Sequence, residues 1–401
     1  MNAPGETTLG VSEERRAAAV ACGAHALHDG YTDLIYMMLP VWQAEFGLSY
    51  AALGLMKTVF SGTLAGFQIP SGFLAERVGA PLVLALGTAF AGLGYCFTGL
   101  SQGIAPLVAA LFIGGLGASA QHPLASSVVA CAFAGPRSLK ALGTYNFAGD
   151  IGKMTVPAAA SLLLVVLPWR EALGLLGGCG LLAAIVIFIA MPRFAGEAPA
   201  AKSEPTSRAP SRFTQFGFPL LLSVGVIDSA TRMGFLTFLP FVLKAKGASV
   251  PTIGLAFTLV FAGGAAGKLV CAFIGARIGA VATVWLTEAL TALTIVALLP
   301  LPLDVALLLL PIVGIALNGT SSVLYGSVPD LVAPAKRQRA FGIFYTGTIG
   351  AGAISPALYG LLGDAIGVTP TLVTLAAIVL LTLPLTLMLR PALAARVSAA
   401  S

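Results

Sequence analysis

Residues 39–55 read LPVWQAEFGLSYAALGL, and residues 239–255 read LPFVLKAKGASVPTIGL. With a constant shift of 200 positions, Leu39-Pro40 meets Leu239-Pro240, Gly47 meets Gly247, and Gly54-Leu55 meets Gly254-Leu255. The register continues outward: Thr58 meets Thr258, Arg77 meets Arg277, and Gly79-Ala80 meets Gly279-Ala280. Further on, at a shift of 199, Gly143 meets Gly342 and Pro157 meets Pro356. A single match says little in a chain with 47 glycines and 25 prolines. A shared offset across several segments means an internal duplication.

Composition says what was duplicated. Hydrophobic residues make up 57% of the chain, charged residues only 9%, and the mean hydropathy is +0.94. A soluble domain carries about 25% charged residues, so most of this surface must face lipid. An α-helix crosses a ~30 Å hydrocarbon core with about 20 mostly apolar residues. The apolar stretches here have that length, and the alternating ten-residue segments of a β-barrel are missing. Spans are predicted at 16–41, 50–73, 80–99, 104–131, 139–167, 171–192, 213–243, 251–274, 281–300, 303–328, 339–365 and 369–390. The fold expected is an all-α membrane protein, with twelve transmembrane helices in two six-helix pseudo-symmetric halves. Residues 1–192 form one bundle and 213–401 the other. Residues 193–212, rich in Ala, Pro, Ser and Lys, form a flexible cytoplasmic linker.

Basic residues in the short connections set orientation. With the N-terminus inside, the cytoplasmic side carries Arg15, Arg16, Arg77, Arg137, Lys140, Arg193, Lys202, Arg208, Arg212, Arg277, Lys336, Arg337, Arg339, Arg390 and Arg396. The other side carries Arg170, Lys244 and Lys246. Both termini are therefore expected in the cytoplasm of a cell with a bacterial-type inner membrane. This bias accounts for the net charge of +6 and leaves no reason to expect nucleic-acid binding. Met1 to Glu14 lacks the pattern of a cleavable signal, so the first helix is expected to target the chain. The five cysteines lie in apolar stretches without CxxC spacing and read as packing residues rather than disulfides or metal ligands.

Between the second and third spans runs Gly72-Phe-Leu-Ala-Glu76-Arg77-Val-Gly79. With this motif and its two six-helix halves, the chain resembles the major facilitator superfamily over nearly its whole length. Ala80-Pro81 replaces the basic residues that usually follow the motif, and the second copy, Ala276-Arg277-Ile-Gly279, lacks the acid. The resemblance implies that Glu76 and Arg77, with Arg277 in the second copy, belong to a cytoplasmic charge lock. The alternative is that they are ordinary topology charges. Near Ala110 to Ile113 there is no counterpart of the family's helix-4 Arg, and Val156 stands where the antiporter motif has Gly before Pro157. Gly117-Ala-Ser-Ala-Gln121-His122-Pro123 is similar to the His-Pro element of the fosmidomycin-resistance branch. The implied function is secondary transport by alternating access, with substrate between the halves near the mid-membrane.

Nine acids, lysines and arginines fall inside the predicted spans: Asp29, Asp33, Lys57, Asp150, Lys153, Asp228, Arg232, Lys268 and Glu288. An Asp, Lys or Arg at a helix centre costs about 2.5–3.5 kcal/mol, so each needs a partner or a watery cavity. Eight lie on the helices that line the family's cavity; Glu288, on the ninth helix, does not. His25, Asp29 and Asp33 recur every four residues on one helical face, flanked by His28. Carboxylates beside imidazoles in low dielectric suit proton coupling, and a static hydrogen-bonded network is the other reading. Asp150 with Lys153 and Asp228 with Arg232 have the spacing of pairs within a helix, or of pairs across the two halves. Lys268 has no acid one turn away. With Arg232 and Lys153 it is a candidate anion site; an interhelical salt bridge is the alternative. His122 is a packing residue or a substrate contact. Tyr36, Tyr145, Phe147, Tyr325 and Tyr345 are candidate cavity walls.

Gly152-Lys153 is not a phosphate loop, because Phe147 and Met154 occupy its Gly and Ser/Thr positions. HExxH, CxxC and GxSxG are missing, so no enzyme chemistry, cofactor or metal is expected. The partners expected are protons, a small organic solute, anionic or drug-like, and the lipid bilayer around a monomer. Export is the first reading of direction. Proton-symport uptake of an organic anion is the second, and a non-transporting membrane sensor or enzyme is a third.

Overall fold

The computed structural model describes residues 10–133, 136–192, 212–333 and 336–400. These form fourteen α-helices and no strand. They are α1 (Val11–Phe46), α2 (Tyr50–Val78), α3 (Ala80–Leu100), α4 (Ile104–Ala118), α5 (Gln121–Ala132), α6 (Pro136–Val166) and α7 (Trp169–Ala190). Then come α8 (Arg212–Ala245), α9 (Val250–Ile278), α10 (Ala280–Leu298), α11 (Leu303–Leu331), α12 (Arg337–Ile366), α13 (Val368–Val379) and α14 (Thr382–Ala400).

Two expected spans are broken once each. Residues 104–131 divide into α4 and α5, and 369–390 into α13 and α14. A proline accompanies both breaks, and a proline in a helix leaves the carbonyl four residues earlier without its donor. Pro123 does this to Ser119 and Pro384 to Leu380, the residues at which the two helices stop. Each broken pair still crosses as one span, 104–132 and 368–393. Ten spans are long and apolar enough to cross a membrane. The helices α1 and α2, 36 and 29 residues long, are more polar and bring the number to twelve. The ends also differ from expectation: α1 runs from Val11 to Phe46 rather than 16–41, and α2 reaches Val78. Of the expected linker 193–212, residues 193–211 lie outside the described residues.

The duplication is visible in the backbone. Gly47 and Gly247 have φ of 62° and 86°, and Gly79 and Gly279 have φ of 92° and 83°. A side chain at such angles is strained, so glycine recurs where the repeat ends its first and second helices. The repeat also sets the caps. Ser49 Oγ accepts from the Ala52 N–H at 3.2 Å, and Ser249 Oγ accepts from the Thr252 N–H at 3.4 Å. In the second copy Pro251 has no N–H to satisfy. In the first, the N–H groups of Tyr50 and Ala51 donate to the Asp364 carboxylate of α12 at 2.7 and 3.0 Å. An acid on a helix N-terminus satisfies orphan donors and opposes the helix dipole.

Among the described residues the chain packs as two compact units, 10–35 with 59–192, and 36–58 with 212–400. Residues 36–58, which belong by sequence to the first repeat, thus pack in the second unit. The first unit has a core of small residues: Ala17, Ala21 and Ala24 of α1 against Ala85, Ala125 and Val129. Small side chains let membrane helices approach closely. At the tightest point, between α1 and α6, a Cβ on Gly152 would overlap the Ala26 carbonyl. Tyr95 donates to the Tyr31 carbonyl and Tyr31 to the Leu176 carbonyl, joining α3, α1 and α7. The second unit has a bulkier core of Leu221, Val224, Leu324, Val328 and Phe344. Large apolar side chains such as Ile69, Phe73, Val166, Ile189, Phe273 and Leu308 are exposed, as a lipid-facing surface requires.

Candidate functional site

In the first unit the buried charges converge on Asp29, which is 6% exposed. Four nitrogen-bearing side chains surround its carboxylate. His25 Nε2 lies 3.6 Å from Oδ2 and Lys153 Nζ 3.3 Å from the same oxygen. His28 and His122 place their Nε2 atoms 3.9 and 3.8 Å from Oδ1. The chain has three histidines, and all of them are here. His28 and His122 are also 3.3 Å apart at Nε2, a hydrogen bond in which one ring donates N–H to the bare nitrogen of the other. The Tyr145 ring stacks on His25 at 4.0 Å. His25 Nδ1 is buried without a hydrogen-bond partner. His122, whose side chain is 44% exposed, is the open side of the cluster.

Local sequence produces this geometry from three helices. Four-residue spacing puts His25 and Asp29 on one face of α1. The break before α5 sets His122 in the first turn of that helix. On α6, Tyr145, Gly149, Gly152 and Lys153 share a face toward α1. Gly149 makes the room: a Cβ there would run into the His25 ring and come within 2.7 Å of Asp29 Oδ2. Lys153, expected to pair with Asp150 or across the halves, reaches across to Asp29 on α1. Asp150 is buried near His25. Asp33, one turn beyond Asp29, is buried beside Tyr95 of α3.

Three of these groups, His25, Asp29 and His122, bring one ligand atom each within 4.8 Å of one another, as a metal site would. The Lys153 ammonium already occupies the Asp29 Oδ2 edge, which opposes a divalent cation. One carboxylate and one ammonium cancel, and three imidazoles complete the cluster.

A second buried cluster lies in the second unit. Asp228 of α8 and Glu288 of α10 are both buried, 6% and 1% exposed, and their charges act on each other. Thr320 of α11 donates its hydroxyl to Thr287 Oγ1 of α10 at 2.6 Å. Arg232 makes no ion pair with Asp228 among the described residues, and its Nε is buried without a hydrogen-bond partner. The helix-internal Asp228–Arg232 pair is therefore not formed. Sequence reading left Glu288 without a role, because its partner lies 60 residues away on another helix. Its faint signal is a stripe of hydroxyls on one face of α10: Thr283, Thr287, Thr291 and Thr294.

Tyr36 is fully buried, donates to Met233 Sδ at 2.9 Å and lies under Lys57 Nζ, 4.2 Å from the ring centroid. Lys268 is half-buried on α9. Glu76, Arg77 and Arg277 are exposed at the ends of α2 and α9 and make no ion pair among the described residues. The bidentate bridge at that end of the first unit is instead Arg137 to Glu14, with both N···O distances 3.0 Å.

Twelve spans, a duplicated half and buried charges on facing helices define a multi-pass membrane transporter rather than an enzyme. The family model of the Major Facilitator Superfamily matches residues 21–227 and 220–400, and the chain belongs to that family. It is 24% identical over 349 residues to the fosmidomycin resistance protein of Escherichia coli K12, covering 85% of this chain and 84% of that one. To the multidrug resistance protein MdtL of Escherichia coli it is 24% identical over 212 residues, 53% of each chain. Among solved structures, an inward-facing bacterial homologue of the human lysosomal transporter Spinster superposes with a TM-score of 0.79. That match has 16% identity and covers 97% and 99% of the two chains. The human organic anion transporter MFSD10 superposes with a TM-score of 0.62 at 18% identity, covering 93% and 99%. At such identities the structures speak for the fold alone.

Proposed function

We propose that this chain is a proton-linked secondary transporter of a small organic solute, anionic or drug-like, in an inner membrane with both termini cytoplasmic. Export is the favoured direction, supported by its likeness to proteins named for drug resistance. The observation that carries the proton link is the convergence of His25, His28, His122 and Lys153 on one buried carboxylate. In this reading Asp29 and the imidazoles hold the proton, with Asp33 one turn away. Lys153, Asp150, His122 and Tyr36 meet the solute from the first half; Arg232, Asp228 and Lys268 meet it from the second. The halves, 1–192 and 213–401, rock about that site to expose it alternately, with Glu76, Arg77 and Arg277 locking one end.

One observation favours uptake of an organic anion with a proton. Protonating Asp29 removes the charge that faces Lys153 Nζ at 3.3 Å, so proton and anion binding reinforce each other. Solute counterflow in proteoliposomes, across a panel of organic anions and drugs, tests both directions. Exchange accelerated by an opposed proton gradient supports export, and acceleration by a parallel gradient supports symport. No counterflow with any solute, together with an unchanged internal pH, would remove the transporter reading.

A further inference from the structure

The two oxygens of Asp29 meet different neighbours. Oδ2 faces Lys153 Nζ at 3.3 Å and His25 Nε2 at 3.6 Å. Oδ1 faces His122 Nε2 at 3.8 Å and His28 Nε2 at 3.9 Å, and these two nitrogens stand 3.3 Å apart. We propose that Oδ1 and the two Nε2 atoms form a binding site for a divalent transition-metal ion of the zinc type. The site goes beyond the proposed function, which gives these groups to a proton. It does not rest on that reading, because metal binding is measured without transport.

The three distances carry the inference. In the plane of the three atoms, the point equidistant from them lies about 2.1 Å from each, within the ~2.0–2.2 Å of Zn–N and Zn–O bonds. The trio of His25, Asp29 and His122 is the poorer site, because His25 approaches Asp29 at the oxygen that Lys153 holds. Two imidazole nitrogens and one carboxylate oxygen suit Zn2+, Co2+ or Ni2+, whereas Mg2+ and Ca2+ take oxygen ligands. Three protein ligands leave one position of a tetrahedron for a further ligand. An approach to it exists, since the His122 side chain is 44% exposed while those of His28 and Asp29 are buried.

Hydrogens and charges are consistent with such an ion. The His28–His122 hydrogen bond uses a single hydrogen, held on one Nε2. For both Nε2 atoms to bind a metal, that hydrogen moves to Nδ1 of its own ring, and both imidazoles stay neutral. Lys153 opposes the ion by charge, but from the far side of the carboxylate. Its ammonium holds Oδ2 and so keeps Oδ1 turned toward the imidazoles, as the outer partners of metal ligands do. A divalent ion beside Lys153 leaves the cluster positive, so the fourth position favours an anion such as hydroxide or chloride over neutral water.

The test is a Co2+ titration of the purified full-length protein in lipid nanodiscs, any affinity tag removed, followed by visible absorption. Tetrahedral Co2+ absorbs more strongly than the hydrated ion. The wild type is expected to bind about one equivalent, and Zn2+ to displace it with loss of the band. His122→Gln, at the half-exposed position, is expected to weaken binding about 100-fold or more, since losing even an outer partner costs ~10–100-fold. His28→Gln and Asp29→Asn should do the same, with melting temperatures in the absence of metal reporting that each variant is folded. Lys153→Met removes the opposing charge, so it should bind Co2+ more tightly than the wild type and gain more melting temperature from Zn2+. Equal Co2+ affinity in the wild type and His122→Gln would overturn the proposal. So would the absence of a tetrahedral Co2+ band from both the wild type and Lys153→Met.

Discussion

At the scale of single residues, the chemistry rests on Asp29 and what surrounds it. Asp29→Asn keeps the shape and the hydrogen-bonding capacity but removes the charge that Lys153 and the three imidazoles share. Transport by this variant is expected to lose its dependence on the proton gradient while folded protein remains in the membrane. Wild-type pH dependence in the variant would sink the assignment. Lys153→Met alone leaves a buried carboxylate without its ammonium, and breaking such a pair from one side destabilises. The Asp29→Asn/Lys153→Met double variant removes both charges and should melt higher than Lys153→Met alone. A double variant whose loss merely adds the two single losses would show that the pair is not coupled. The four-residue recurrence of His25, Asp29 and Asp33 was legible from the chain alone, because periodicity fixes which residues share a helical face. The arrival of His122 and Lys153 was not. It depends on how α5 and α6 cross α1, and no local pattern encodes a crossing. Glu288 shows the same limit: its hydroxyl-rich face could be read, but its partner could not.

At the scale of elements, glycines decide how closely helices approach, and two of them on α6 differ in consequence. A Cβ at Gly149 meets the tips of His25 and Asp29, which can move aside, whereas one at Gly152 meets the Ala26 backbone, which cannot. Gly152→Ala should therefore lower the melting temperature, with an overpacking cost of about 1–3 kcal/mol. Gly149→Ala should leave stability nearly intact and disturb transport and its pH profile. Equal effects of the two on stability would contradict this reading of the α1–α6 contact. The cap on α2 is a second element-scale feature. Asp364→Ala orphans the N–H groups of Tyr50 and Ala51 and should cost about 0.5–2 kcal/mol, read as a lower melting temperature; Asp364→Asn should lose less. Sequence reading found ten of the spans because twenty-residue apolar runs are unmistakable; the more polar α1 and α2 fitted the two-fold repeat. It carried two of them straight through breaks that Pro123 and Pro384 impose. Hydropathy measures whether a segment can cross the bilayer, and it is blind to a missing N–H within the crossing.

At the scale of the whole molecule, the duplication and the packing divide the chain differently, and a test follows from the difference. Residues 36–58 repeat as 236–258 and so belong to the first half, yet they pack in the second unit. Asp364 on the start of α2, Tyr36 on Met233, and the Tyr50 ring against Phe238 and Phe241 at 5.7 and 5.2 Å hold them there. If the halves alternate as proposed, these contacts must break and reform in every cycle, because they join the start of α2 to helices of the other repeat. Hydrogen bonds, apolar contacts and one acid on a helix end are each worth a kcal/mol or so, which permits such exchange. A covalent bond does not. Cysteines at positions 51 and 364, introduced together as Ala51→Cys and Asp364→Cys, should form a disulfide on mild oxidation and stop counterflow, and a reductant should restore it. Each single variant, treated alike, controls for the five native cysteines, none of which is paired. Counterflow that continues at the wild-type rate with the cross-link fully formed would mean that residues 36–58 are a permanent part of the second unit. The moving boundary would then lie not at the sequence repeat but within α1 near Ile35 and within α2 near Val59.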